Sequence, residues 1–213
     1  MESTRIKIST LLTVLLAIIG IEALMVTVHL HLQLYPLIIT GMARTVQALV
    51  IFWIVSERDV GIAAIGLSKA TLLQGLKKGL LWSAGFGLVV ALAGTVIYLA
   101  GINPAKLIQS SMPVKPVQIA LLFCIGGIIG PVAEEIFFRG ILYSFFRRWG
   151  IFSALLVSTL VFVMIHPVRG PAVTQAIGGI LFGIAFEVEK NLMVPITIHA
   201  LGNMAIFTIS AVF

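Results

Sequence analysis

The chain carries the segment Ile125-Gly-Gly-Ile-Ile-Gly-Pro-Val-Ala-Glu134-Glu135-Ile-Phe-Phe-Arg139-Gly-Ile-Leu142, in which two carboxylates and a guanidinium interrupt an apolar run. A charge at the centre of a bilayer costs about 2.5–3.5 kcal/mol on insertion scales, so an intramembrane carboxylate points to a function and to a partner. In a helix Glu135 and Arg139 are i and i+4 on one face, which suits an ion pair. Glu134 points about 100° away from Glu135. The segment therefore predicts a structural Glu135–Arg139 pair and leaves Glu134 free to face a cavity.

The composition is that of a membrane protein. Hydrophobic residues make up 60% of the 213 residues and charged residues 10%, with a mean hydropathy of +1.14. Soluble domains carry roughly 45–50% apolar and about 25% charged residues. No hydrophilic stretch is long enough for a soluble domain, so residues 1–213 are predicted to form a single integral-membrane domain. The net charge of +6 comes from basic residues placed singly or in pairs between apolar runs, a pattern of membrane topology and not of nucleic-acid binding.

Recurring apolar runs predict an all-α fold, a polytopic bundle of about seven transmembrane helices around a polar cavity. The predicted spans are residues 8–30, 35–55, 79–100, 117–147, 151–166, 172–187 and 193–211. The fourth is too long for one crossing, so one end should leave the hydrocarbon region. Two short segments in the connection 56–74 and just beyond it have the composition of amphipathic pieces that lie at the interface: Ile65–Lys69 and Leu72–Lys78.

The distribution of Lys and Arg predicts a multi-pass protein of the cell membrane with a cytoplasmic N-terminus. Arg5 and Lys7 precede the first span. Seven spans then place the larger basic group inside: Arg58, Lys69, Lys77, Lys78, Arg147, Arg148 and Lys190. A smaller group falls outside: Lys106, Lys115 and Arg169.

Two later spans add polar side chains to the same half of the chain. His166 ends the fifth span, and His199 and Asn203 are i and i+4 in the seventh, so they should face one space. A carboxylate beside a histidine can hold a water and take its proton, and a second histidine with an amide can donate to an oxyanion. This is the toolkit of a peptidase without a covalent nucleophile. Counted along the helices, however, His166 falls about 5–10 Å from the other groups in depth.

Other chemistries leave weaker signals. No Gly-x-Ser-x-Gly elbow is present, so a serine hydrolase is not indicated. Glu134, His166 and His199 could bind zinc, which takes histidine and carboxylate ligands, but the His-Glu-x-x-His pattern of zinc proteases is absent. Zinc is therefore an open alternative to a metal-free site. A packing ion pair in a scaffold or transporter is the non-catalytic interpretation of the glutamates.

Three motifs in order, Glu134-Glu135-x-x-x-Arg139, Phe162-x-x-x-His166 and His199-x-x-x-Asn203, resemble the CPBP family. This family comprises the CAAX-prenyl-protease-like and bacteriocin-processing (Abi) intramembrane endopeptidases. The resemblance covers about residues 117–211. It implies that Glu134 and His166 activate water, that His199 and Asn203 form the oxyanion site, and that Glu135 and Arg139 support Glu134. It also implies a glutamic peptidase without a metal.

The sequence hypothesis is thus an intramembrane endopeptidase that cleaves a membrane-anchored or lipidated peptide or protein at the bilayer. The short link between the helices of His166 and His199 departs from longer members of the family, which leaves a prenylated substrate undecided. A non-catalytic membrane protein, such as an immunity factor, chaperone or small transporter, is the alternative from another class.

Overall fold

The computed structural model describes residues 6–58, 61–108, 110–166 and 173–212, and within these ranges it contains helices and no strand. Arg5 and Arg169, which enter the orientation prediction, lie outside the described residues. Seven long helices occupy the positions of the predicted spans: α1 (Ile8–Leu32), α2 (Pro36–Arg58), α3 (Leu72–Leu99), α4 (Pro116–Trp149), α5 (Ile151–Ile165), α6 (Val173–Glu189) and α7 (Met193–Val212). The all-α prediction is confirmed.

The number of membrane crossings is only approximately the seven predicted. Five helices, α1, α2, α3, α4 and α7, are long and apolar enough to cross a bilayer. Helix α5 is apolar but has 15 residues, and α6 has 17. At 1.5 Å per residue these two reach about 22–26 Å, less than the roughly 30 Å of a hydrocarbon core. Helix α5 packs on α4 and α6, helix α6 packs also on α4 and α7, and the site residue His166 follows the last residue of α5.

Helix α4 is the centre of the bundle and packs on α2, α5, α6 and α7. Its second half supplies much of the main hydrophobic core, including Phe138, Ile141 and Tyr143. Two stretches of α4, Leu122–Ile129 and Ile136–Tyr143, have the wider π-helical hydrogen-bond register. Such segments are rare and often occur at functional sites. They flank the single α-helical turn that carries the two glutamates.

The connection before α3 is buried more deeply than its amphipathic pattern predicts. Two 3₁₀ turns, Ile62–Ile65 and Lys69–Thr71, replace the predicted interfacial helix, and Leu72–Lys78 belongs to α3. Ile65 is fully buried against Gly140 of α4. The Gly66 carbonyl also accepts the backbone N–H of Leu192, at the turn between α6 and α7. The segment therefore lies under that turn, because its apolar side chains find the core and not the lipid interface.

Glycines let α3 approach α7 closely, and the contact between these two helices is among the most extensive in the bundle. A Cβ at Gly79 would lie 2.5 Å from Cβ of Thr197. The Gly-x-x-x-Gly pairs at Gly126 and Gly179 serve the same purpose inside the molecule, because they lie against Phe207 and Thr159. Small residues at such contacts are the usual device for packing helices in membranes.

We expect Gly79→Ala to destabilise the protein by about 1–3 kcal/mol, because the new methyl meets a β-carbon that cannot rotate away. Gly87→Ala in the same helix is the matched control, since nothing lies within 4 Å of a Cβ there. Thermal unfolding of both variants in detergent measures the difference. Equal midpoints for the two variants would contradict the close α3–α7 packing.

Candidate functional site

Three of the predicted site residues converge on one cavity. Glu134 lies in the α-helical turn of α4, His166 follows the last residue of α5, and His199 lies in the second turn of α7. The Glu134 Oε2 atom is 3.6 Å from Nε2 of His166 and 3.7 Å from Nε2 of His199. The side chains of Glu134 and His166 keep 16% and 29% of their surface exposed, so the cavity is accessible.

The predicted difference in depth between His166 and the other groups is wrong, for two geometric reasons. Glu134 precedes the Gly150 turn by sixteen residues and His166 follows it by sixteen, so α4 and α5 bring them to one level. Helix α7 begins inside the protein, because the turn before it is buried. Asn191 and Leu192 in that turn are 7% and 0% exposed, and Asn191 donates from Nδ2 to the Thr71 carbonyl.

The tautomer of His166 follows from its backbone contact. Its Nδ1 lies 2.7 Å from the carbonyl oxygen of Phe162. A carbonyl can only accept, so Nδ1 carries the hydrogen and donates it. In the neutral ring Nε2 is then an unprotonated acceptor, and it is the atom that faces Glu134. Residue 167 is proline, which disfavours helical backbone at the residue before it and ends α5 at this point.

Glu135 and Arg139 form the ion pair that the sequence predicts, and neither side chain has any exposed surface. Arg139 Nη1 donates to Glu135 Oε1 at 2.9 Å, and Nη2 donates to the Gly179 carbonyl of α6 at 3.0 Å. The same Oε1 atom lies 2.8 Å from Nδ1 of His199. This second contact was not predicted, because nothing local in the sequence relates position 135 to position 199.

The contact with Glu135 fixes the state in which His199 can act. A carboxylate accepts, so Nδ1 of His199 donates and the neutral ring has no hydrogen on Nε2. His199 can therefore donate from Nε2 toward the cavity only as an imidazolium, whose charge the Glu135 carboxylate supports. Phe182 stacks on this ring with the centroids 4.7 Å apart, and the Arg139 guanidinium lies 5.3 Å from the Phe182 centroid. These contacts fix the His199 imidazole against the Glu135–Arg139 ion pair.

Asn203 has a structural partner that its predicted role does not include. Its Nδ2 donates to the backbone carbonyl of Gly126 at 2.8 Å. In this stretch of α4 the Gly130 N–H donates to the carbonyl oxygen of Ile125, five residues earlier. By the same spacing, the carbonyl oxygen of Gly126 would accept from the N–H of residue 131. Residue 131 is proline and has no N–H. Asn203 supplies the missing donor, and the second hydrogen of its amide is not used in this bond.

Arg44 of α2 is a polar residue at depth that the sequence analysis did not select. Its Nη1 donates to Glu22 of α1 at 2.8 Å and to Gln47 at 2.6 Å, and Gln47 Nε2 donates to the same Glu22 oxygen at 2.8 Å. Glu22 therefore has an intramembrane partner. The signal was present, since Arg44 is the single charged residue within the predicted span 35–55.

Within the described parts of the chain, no group of three His, Cys, Asp or Glu residues has a geometry that could hold a metal ion. In both histidines Nδ1 is already hydrogen-bonded, in His166 to the Phe162 carbonyl and in His199 to the Glu135 carboxylate. Their Nε2 atoms lie 3.6 and 3.7 Å from Oε2 of Glu134, so three proton acceptors stand close together.

Comparison with known proteins agrees with the resemblance drawn from the three motifs. Residues 116–205 match the family described as type II CAAX prenyl endopeptidase Rce1-like, and this segment contains all six predicted site residues. A Bacillus subtilis (strain 168) protein named "Putative membrane peptidase YdiL" is 28% identical over 147 residues, which cover 63% of this chain and 59% of that protein. No solved structure matches. The chain is similar to this family over its second half, and with its long apolar helices it is an integral membrane protein.

The two glutamates should differ in their effect on stability. We expect Glu135→Gln to cost about 3–5 kcal/mol, because it leaves the buried Arg139 charge without its counter-ion. Glu134→Gln should cost about 1 kcal/mol or less, because Glu134 keeps 16% of its side chain exposed and its two imidazole contacts, at 3.6 and 3.7 Å, are longer than hydrogen bonds. Unfolding midpoints in detergent compare the two variants. An equal loss of stability would contradict the division of roles.

Asn203 and Pro131 should be coupled through the Gly126 carbonyl. Asn203→Ala should destabilise by about 1–3 kcal/mol because it leaves this buried acceptor unpaired. Adding Pro131→Ala provides a backbone N–H at the position that the register requires, so it should recover part of the loss. Pro195→Ala, in the first turn of α7, is the control and should recover none. A double-mutant cycle in detergent tests this, and a zero coupling energy would refute it.

Proposed function

We propose that this protein is an intramembrane endopeptidase in which Glu134 and His166 activate a water molecule. The observation that carries the proposal is the approach of two acceptors, Glu134 Oε2 and His166 Nε2, to 3.6 Å. A water that donates one hydrogen to each has its lone pairs directed away from both. The Phe162 carbonyl, which accepts from Nδ1, keeps the His166 ring in the tautomer that this requires.

Peptide hydrolysis then follows with all protons accounted for. The water oxygen attacks the scissile carbonyl carbon while Glu134, assisted by His166, takes its proton. The carbonyl oxygen becomes an oxyanion, which accepts from the imidazolium of His199 and from the free amide hydrogen of Asn203. Collapse of this intermediate breaks the C–N bond, and the proton held by Glu134 and His166 passes to the leaving amine. The products are a carboxylic acid and an amine, and the acid then passes its remaining water-derived proton to the amine, giving a carboxylate and an ammonium group.

Glu135 and Arg139 are positioning residues in this scheme. The Glu135 carboxylate accepts from Nδ1 of His199 at 2.8 Å and so orients Nε2 of this ring toward Glu134. Arg139 is the buried counter-ion of Glu135 and holds its carboxylate in place at 2.9 Å. The proposed substrate is a membrane-anchored or lipidated peptide or protein, in keeping with the endopeptidase family that residues 116–205 resemble. We also propose that the reaction needs no metal ion and that the N-terminus is cytoplasmic.

The proposal is tested with purified protein in liposomes and a panel of fluorescent peptides, each anchored by an S-prenyl cysteine or a transmembrane segment. Cleavage is detected by mass spectrometry. Glu134→Gln and His166→Ala should each lower the rate by about 10²–10⁴-fold, as expected for loss of a general base. His199→Ala and Asn203→Ala should each lower it by about 10²–10³-fold, as for loss of an oxyanion donor. Glu57→Gln, an exposed carboxylate at the end of α2, is the control.

Three outcomes would overturn parts of the proposal. Full activity of Glu134→Gln would show that Glu134 is not the base. Loss of activity in a chelator, restored by zinc, would replace the metal-free reaction with a metal-dependent one. If no peptide is cleaved but Glu134→Gln changes the binding of one of them, the protein is a binding protein and not an enzyme.

A further inference from the structure

A groove between α3 and α6 lies apart from the proposed catalytic residues. Both helices pack on α7, and the space between them has a volume of about 560 Å³. Leu181 and Glu189 of α6 form one wall of this α3–α6 groove. The other wall is a single face of α3, at the spacing of successive helical turns: Lys78, Leu81, Trp82, Gly85, Phe86 and Val89. The groove is therefore apolar along its length and charged at one end.

Three side chains build the charged end of the groove. Glu189, the last residue of α6, accepts with Oε2 from Nζ of Lys78 at 2.5 Å and with Oε1 from Nε1 of Trp82 at 3.1 Å. Because both carboxylate oxygens are engaged, Lys78 and Trp82 are held at the mouth of the groove. An ammonium group has three N–H donors, so two of those on Lys78 remain for another anion. The Lys78 side chain keeps 40% of its surface exposed.

Positive charge is in excess around this mouth. Lys77 is exposed next to Lys78, and these two lysines lie one helical turn before residues that line the groove. Ion pairs place further charges at the same end of the bundle, where four basic and two acidic residues lie together: Lys77, Lys78, Arg147 and Lys190 with Glu187 and Glu189. A basic pocket between membrane helices is the kind of site that binds the headgroup of an anionic lipid.

The apolar part of the groove runs along the membrane-crossing part of α3. This helix is long and apolar enough to cross a bilayer, and none of its residues from 80 to 99 is buried. The lining residues from 81 to 89 cover about 12 Å along its axis. Helix α7 closes the floor, since Trp82 and Leu181 both pack on a cluster to which α7 contributes two buried side chains. A flexible acyl chain has the chemistry and the shape to fill such a groove.

We propose that the α3–α6 groove binds one anionic phospholipid. An acyl chain lies along the apolar wall of α3, and the headgroup phosphate accepts from Lys78 and lies near Lys77. The lipid adds to the Glu189 contacts that join α3 to α6. This inference is independent of the proposed peptidase function, because none of the proposed catalytic residues lines the groove.

Trp82 lines the groove and reports its occupancy. The other two tryptophans, Trp53 and Trp149, are 66% and 59% exposed and are replaced by Phe. The single-tryptophan protein is titrated in neutral detergent with phosphatidylglycerol or phosphatidylcholine that carries dibrominated acyl chains, since bromine quenches tryptophan fluorescence on contact. We expect half-maximal quenching by phosphatidylglycerol at a concentration at least fivefold lower than by phosphatidylcholine, about the factor expected for one basic residue near an anionic headgroup.

Two sets of variants separate the headgroup from the acyl chain. Lys77→Gln combined with Lys78→Gln should remove the preference for phosphatidylglycerol and leave the value for phosphatidylcholine within twofold. Gly85→Leu places a side chain in the groove and should raise the half-maximal concentration of both lipids at least fivefold. Gly87→Leu, on another face of α3, is the matched control and should change neither value. Nothing lies within 4 Å of a Cβ at either glycine, so neither substitution creates a clash there.

The comparison of the two lipids needs no change at the lysines, so it holds even if the lysine variants fold poorly. Equal half-maximal concentrations for phosphatidylglycerol and phosphatidylcholine would overturn the inference. Unchanged quenching in Gly85→Leu would overturn it as well, because the acyl chain would then lie elsewhere.

The lipid anchor of a substrate and a second copy of this chain are the other occupants to test. An S-farnesyl cysteine peptide without bromine is added to protein quenched by phosphatidylglycerol. If it restores Trp82 fluorescence at a lower concentration than unbrominated phosphatidylglycerol does, the groove holds the substrate's anchor and the inference is wrong. Light scattering gives the mass of the protein in detergent. If Gly85→Leu turns a dimer into a monomer, a second copy fills the groove and the inference is also wrong.

Discussion

The buried pair of Glu135 and Arg139 is the interaction on which the rest of the structure depends. Removing two charges from water costs several kcal/mol per ion, and only close hydrogen bonds offset this. The pair obtains these bonds from three helices, since α4 carries both charges, α6 offers the Gly179 carbonyl and α7 offers His199. The polar centre therefore fixes how α4, α6 and α7 are arranged.

Because Glu135 is committed to this pair, the adjacent Glu134 is free for a different use. One carboxylate is sealed in the protein and orients a histidine, while its neighbour lies on the cavity wall with two imidazole nitrogens. The π-helical stretches on either side of the glutamates widen α4 at this point. They also leave the Gly126 carbonyl for Asn203, so this irregularity anchors Asn203 to α4.

The cavity also needs its groups to lie at one depth. In the α4–α5 hairpin, Glu134 and His166 lie the same number of residues before and after Gly150, so they reach the same level. Helix α7 achieves it because residues 61–71 cover the turn before it and keep that turn inside the protein. Irregular backbone at depth is tolerated only where protein buries it or where it lines a cavity, and this segment satisfies the first condition.

The sequence by itself determined the helices, the set of polar residues at depth and the Glu135–Arg139 pair, because apolar run length and i, i+4 spacing are local properties of a helix. It also provided the resemblance that the matched residues 116–205 support. Only the tertiary structure decided that His199 contacts Glu135, that Asn203 serves Gly126, that Arg44 pairs with Glu22 and that His166 lies beside Glu134. Each of these contacts joins positions far apart in the chain, so the lateral packing and the relative depth of the helices determine them, and neither quantity is encoded in the pattern of any one helix.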